Sequence, residues 1–228
     1  MRLRFVPIVL FLTTAGLALR ADEPEKKLVS GPPAGENLPG PFDSRIINGE
    51  FKEKQHCLIC ENRLFPVILV FVRDPEPPKE WKDDGPIRYL FDKLEEAVDN
   101  HERFYLKANV IWLSPDAHSS ATDVGVKEAK VLVEEAKNRD LLLKKLTARA
   151  EKSKNVIMAA FPKEGPKGWK IDPAAAVTIV FFNQLRVIRN EAFGEGKMTK
   201  EDVDRFIGFV DSTIKSWRVP EKKASKPA

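Results

Sequence analysis

The run Pro66-Val67-Ile68-Leu69-Val70-Phe71-Val72 constrains the fold most, because a strand made from it is apolar on both faces. Val67, Leu69 and Phe71 point one way while Ile68, Val70 and Val72 point the other. Such a strand belongs in the middle of a sheet covered on both sides. Around it the apolar period switches repeatedly between two and 3.6 residues, the pattern of an α/β chain. The period of two predicts strands at 66–73, 106–113, 155–161, 176–183 and 185–192. Asn183-Gln184 brings the last two close enough for a hairpin.

Three helices are legible. Ile87, Leu90, Phe91, Leu94, Ala97 and Val98 fall at helical spacing after Pro86, a residue suited to a helix start. Ala129, Leu132, Ala136, Leu143, Leu146 and Ala150 form one stripe over 126–151, with Asn138 as a point of interruption. Thr199 and Asp202 form a capping box ahead of Val203, Phe206, Ile207, Val210, Ile214 and Trp217, and Pro220 closes the segment.

The two ends read differently. Residues 1–21 carry Arg2 and Arg4, an apolar stretch from Phe5 to Leu19, and small residues at Gly16, Ala18 and Ala21. This is the pattern of a secretory signal peptide cleaved after Ala18 or Ala21. The stretch falls short of the roughly 20 apolar residues of a bilayer span, so no membrane contact is expected after cleavage. The expected location is periplasmic or secreted. Residues 22–40, rich in Pro, Gly and charge, read as a flexible linker, and 219–228 as a disordered tail. One domain is expected over 41–218.

Cleavage also changes the charge. Removing Arg2, Arg4 and Arg20 lowers the basic count from 38 to 35, against 34 acidic residues. A nearly neutral chain with interleaved lysine and glutamate speaks against nucleic acid as a partner. No Gly-rich phosphate loop follows a strand, so no cofactor is expected.

Both cysteines lie in His56-Cys57-Leu58-Ile59-Cys60, directly ahead of the apolar run. About 200 residues bury enough core to fold without a disulfide. Closing a four-residue loop adds only about 2 kcal/mol. Three chemistries fit the spacing: exchange with thiols or disulfides of a partner protein, a local structural lock, or donation of thiolates to a metal. The metal reading draws on Cys57, Cys60 and His56, with His101 or His118, but the second paired motif usual in a closed zinc site is absent. Glu61, not histidine, follows Cys60, which excludes the haem attachment signal. Lys52, Lys54, His56 and Arg63 favour a thiolate, while Glu53 and Glu61 oppose one.

The segment Gly35-Glu36-Asn37-Leu38-Pro39-Gly40-Pro41-Phe42, followed by Ile47-Asn48-Gly49-Glu50, is similar to the entry hairpin of redoxins and peroxiredoxin-like proteins. Val177 to Asn183 with Arg186-Val187 is similar to the terminal hairpin of thioredoxins. Over roughly 35–217 the order of elements thus resembles the thioredoxin-like superfamily, including its exported bacterial members. The resemblance implies a three-layer sandwich with a central mixed sheet, flanking helices and an N-terminal hairpin extension. It also implies a candidate thiol–disulfide oxidoreductase whose partners are protein thiols or disulfides of the cell envelope.

The working residues depart from that family. Thioredoxins place CxxC after the first core strand, where this chain has Arg73-Asp74-Pro75-Glu76-Pro77-Pro78. At the family's cis-proline position stands Val177, with Pro173 four residues earlier. No active-site residue is therefore carried over, and Cys57 and Cys60 stand as the candidate catalytic pair on the other side of the strand. A non-catalytic binding module with a structural disulfide is the alternative. Ser114-Pro115-Asp116-Ala117-His118 reads as a solvated turn, and Trp81, Trp112, Trp169 and Trp217 as packing residues.

Overall fold

The computed structural model describes residues 28–73, 85–117 and 129–217. The segments expected to be a signal peptide (1–21) and a tail (219–228), together with Trp81 and His118, lie outside the described residues. Among the described residues the chain forms seven strands and four α-helices: β1 (Ser44–Ile46), β2 (Gln55–His56), α1 (Leu58–Asn62), β3 (Val67–Arg73), α2 (Pro86–Asn100), β4 (Lys107–Ser114), α3 (Ala129–Ala150), β5 (Val156–Pro162), β6 (Val177–Asn183), β7 (Arg186–Phe193) and α4 (Lys200–Ser216).

The sheet order is β2-β1-β5-β4-β3-β6-β7. β3 lies inside it, parallel to β4 and antiparallel to β6, with Val67 opposite Lys107 on one side and Phe182 on the other. β5 runs parallel to β4, and the short hairpin β1–β2 extends the sheet beyond β5. This is the mixed-sheet, helix-flanked thioredoxin-like architecture.

The two-faced apolar run accounts for the layering. Ile68, Val70 and Val72 face a cluster containing Leu90, Phe91 and Leu94 of α2, Leu142 and Leu146 of α3, and Phe206, Val210 and Ile214 of α4. The three long helices therefore share one face. Val67, Leu69 and Phe71 face a second cluster with Leu58 and Ile59 of α1, Trp169, Ile171 and the half-buried Leu38 and Phe42. The third layer is thus built from a five-residue helix and irregular chain. Trp169 anchors it, donating from Nε1 to the Gly40 carbonyl at 3.1 Å and meeting Phe42 and Phe71 edge-on.

Two sequence expectations need correction. α3 runs through Asn138 without interruption, since no proline or glycine lies between Ala129 and Ala150 to break its hydrogen-bond ladder. Only its C-terminal half packs: Leu142, Leu146 and Ala150 are buried, whereas Leu132 is 52% exposed. The linker reading of 22–40 fails over 30–38. Ser30 is buried and hydrogen-bonds Thr178 at 2.7 Å, and Asn190 Nδ2 donates to the Ser30 and Pro32 carbonyls. Gly35 N–H donates to the Val187 carbonyl, and Val187 N–H to that of Glu36, both at 2.8 Å. Backbone bonding to β7, which leaves little hydrophobic signature, fixes this stretch.

α4 begins as its capping box requires. The Thr199 hydroxyl accepts from Asp202 N–H at 3.2 Å, and the Asp202 carboxylate accepts from Thr199 N–H at 3.0 Å.

Candidate functional site

The dithiol site is built on α1. Cys57 is its N-cap, with extended backbone (φ −91°, ψ 99°), and Cys60 lies one turn in. One helical turn brings their Cα atoms to 5.3 Å, within the range a disulfide needs, and the two sulfurs are bonded to each other. Leu58 and Ile59, the bulky residues between the cysteines, explain the placement. Both are buried against the sheet, so they hold α1 by its apolar side and leave the cysteines toward its rim. Their function was missed in the sequence, although two large apolar residues inside a CxxC were the available signal.

The two sulfurs have unequal surroundings. Cys57 is half-buried and packs against the second core cluster, whereas Cys60 is exposed. The Cys60 backbone N–H donates to Cys57 Sγ at 3.1 Å. Beside the pair, the His56 ring stacks on Phe51 with centroids 3.7 Å apart. Its Nε2 stands 3.0 Å from Glu61 Oε2, an ion-pair distance without hydrogen-bond alignment. The nearest imidazole is therefore turned to Glu61.

Beyond α1 the chain takes a costly bend. Arg63 has φ 51° and ψ −122°, a region favourable only to glycine, and it delivers Leu64 and Phe65 to the surface at 59% and 38% exposure. Phe65 stacks on Tyr105, whose φ is 59°, with centroids 5.0 Å apart.

The opposite end of β3, where the resemblance puts a reaction centre, is occupied differently. Arg73 Nε donates to the Ala175 carbonyl at 3.3 Å, its Nη2 to that of Asp172 at 3.5 Å, and its Nη1 to that of Lys163. One guanidinium thus ties together the chain on either side of Trp169. The loop residues 74–78 lie outside the described residues.

The structure does not bring His101 to the cysteines. It ends α2 on the three-helix face, 4% exposed, with Nε2 2.8 Å from Asp211 Oδ1 of α4. Among the described residues no group of three or more His, Cys, Asp and Glu side chains is arranged to hold a metal ion. At Ser114 the hydroxyl accepts from Asp116 N–H at 3.3 Å, a local turn. Trp112 is buried beneath the Arg149 guanidinium, 4.4 Å from its ring centroid. No described helix is long and apolar enough to cross a membrane.

No family model and no curated protein matches the sequence. Among solved structures, the chain is similar to an uncharacterized conserved protein from Geobacillus kaustophilus at 12% identity, covering 88% of this chain and 97% of that one with a TM-score of 0.49. It is also similar to a DsbF homologue from Corynebacterium diphtheriae (14% identity, 83% and 96% covered, TM-score 0.46). A third is Arabidopsis thaliana ScoI with copper bound (10% identity, 78% and 98% covered, TM-score 0.44). The strand order and connections carry the fold assignment here, and no chemistry is taken from these likenesses.

Proposed function

We propose that this chain is an exported thiol–disulfide exchange protein working through Cys57 and Cys60, with protein thiols or disulfides of the cell envelope as partners. The observation that carries the reading is the open position of the bond: Cys60 is exposed, and Cys57 Sγ already accepts an N–H. A disulfide kept only as a staple closes a long loop to greatest effect, and this one closes four residues. The exchange oxidises a partner dithiol to a disulfide while the Cys57–Cys60 disulfide becomes two thiols, or runs in reverse. Two electrons and two protons move in either direction.

The second reading, a binding module with a locked disulfide, draws on the Arg73 end. There Arg73 is committed to three backbone carbonyls, a structural role. The two readings separate on the reduction potential of the couple in the processed protein, measured together with turnover of a generic protein disulfide. Exchange predicts turnover and a potential between about −120 and −270 mV. A potential below about −300 mV without turnover would refute it.

A further inference from the structure

We infer that Cys60, the second cysteine of the motif, is the sulfur that joins the partner, and that Cys57 is the sulfur released when a partner thiol attacks and, in the reverse direction, the one that resolves the mixed disulfide. This rests on the exchange reading and deepens it by giving the pair a direction.

Three observations converge. Access comes first: Cys57 follows β2 directly and packs against the core cluster of Leu58, Ile59, Val67 and Leu69, while Cys60 is exposed on the outer side of α1. The second concerns the leaving group. Attack on one sulfur expels the other as a thiolate, and the better-stabilised thiolate leaves faster. Cys57 Sγ is the sulfur that accepts a backbone N–H, at 3.1 Å, so negative charge is better accommodated there. The third is the ground beyond Cys60. Glu61, Arg63, Leu64 and Phe65, which follow Cys60 in the chain, are all exposed, Leu64 and Phe65 lying just past the bend at Arg63. An approaching polypeptide meets Cys60 from this side without displacing core residues.

The step balances as follows. A partner thiolate attacks Cys60 Sγ, the Sγ–Sγ bond breaks, and its electron pair passes to Cys57 Sγ, which remains bonded to the Cys60 N–H. A second partner thiolate then attacks the partner's own sulfur in the mixed disulfide and expels Cys60 as a thiolate. The partner leaves as a disulfide and the chain as a dithiol, with two protons transferred overall. In reverse, the Cys60 thiolate attacks a partner disulfide and Cys57 resolves the product.

The test uses the intact oxidised protein and glutathione. Limiting reduced glutathione is added, the reaction is quenched in acid at short times, and the site of the adduct is mapped by peptide mass. The expected result is glutathione on Cys60 over Cys57 by about tenfold or more. As a second measurement, Cys57→Ser and Cys60→Ser are each reacted with oxidised glutathione under native conditions. The Cys57→Ser variant, which keeps Cys60, forms its adduct faster. Adducts mainly on Cys57 would overturn the direction while leaving exchange intact. A native couple that resists glutathione, although the urea-unfolded protein reacts, would overturn exchange itself and the direction with it.

Discussion

Reducing the Cys57–Cys60 bond should weaken the fold without releasing α1. The closed loop contains four residues, and the chain-entropy relation gives about 2 kcal/mol for its loss. Against this stand Leu58 and Ile59, 2% and 6% exposed, whose burial contributes about 2 kcal/mol each. The apolar anchors together outweigh the covalent bond, so the reduced protein keeps α1 docked. Thermodynamic linkage carries the same quantity into the redox equilibrium. A 2 kcal/mol stabilisation by the disulfide makes the native couple about 40 mV more negative than the unfolded couple, since 30 mV corresponds to about 1.4 kcal/mol for two electrons. Urea unfolding of the oxidised and dithiothreitol-reduced protein measures one side of the cycle, with midpoints expected to differ by about 1 M. Glutathione titration of the native and urea-unfolded couples measures the other. Collapse of the reduced protein, or a stability difference above about 5 kcal/mol, would refute the argument and make the bond a staple. The two sides must agree whatever α1 does on reduction, so unequal values would show that unfolding is not two-state.

Two further perturbations probe the frame around the site. Asp211→Ala leaves Nε2 of the buried His101 without its carboxylate and should cost about 1–3 kcal/mol near neutral pH, read by urea unfolding. The Lys215 hydrogen bond, opposed by desolvation and supported by His101, holds the Asp211 carboxyl below its ordinary value of 3.8. A lowered native value stabilises the fold above that ordinary value and is lost as pH falls through the native one, so the parent–variant gap should narrow in acid. A gap that widens below pH 4 would contradict this linkage. Arg63→Gly removes an unfavourable backbone conformation at φ 51° and should raise stability by about 1 kcal/mol, with unchanged or lower stability counting against the strain.

The five longer strands and the three long helices were legible because burial imposes a period on their residues. Ile68, Val70 and Val72 read as one face since one helical layer covers them. α1 was not legible, because five residues are too few for a helical period and Leu58-Ile59 alone fits a strand or a loop equally well. The pairing of Cys57 with Cys60 was available as one choice among three, but their unequal exposure depends on which side of α1 meets the sheet. Long-range polar anchors were invisible for a different reason. Glu95 in α2 accepts from Lys154, Asn155 and Val156 N–H at 3.0, 2.8 and 3.1 Å and from the Ser153 hydroxyl at 2.7 Å, fixing the entry to β5. In the sequence it is one glutamate of a solvated helix. The same holds for Arg73, whose importance lies in carbonyls 90 or more residues away.

The two ends of β3 differ in how they handle backbone energy, and the difference bears on where chemistry can reside. At the Arg73 end a guanidinium satisfies carbonyls from three positions, an arrangement that lowers energy and resists rearrangement. At the other end four non-glycine residues sit at positive φ: Arg63, Tyr105, Gln184 and Leu185. The last two form the β6–β7 turn, where glycine or asparagine is the cheaper choice, and Leu185 remains 38% exposed. Such residues cost about 1 kcal/mol each, a sizeable share of the 5–15 kcal/mol that stabilises a typical fold. Paired strands can sustain that cost: β3, β4 and β6 are in continuous register immediately behind these turns. Gln184 N–H also reaches the Leu64 carbonyl at 3.3 Å, joining the hairpin to the chain that leaves α1. A surface held under strain by a rigid sheet keeps its exposed groups in fixed positions, which a sulfur pair needs if one of its members is to be presented repeatedly to another protein.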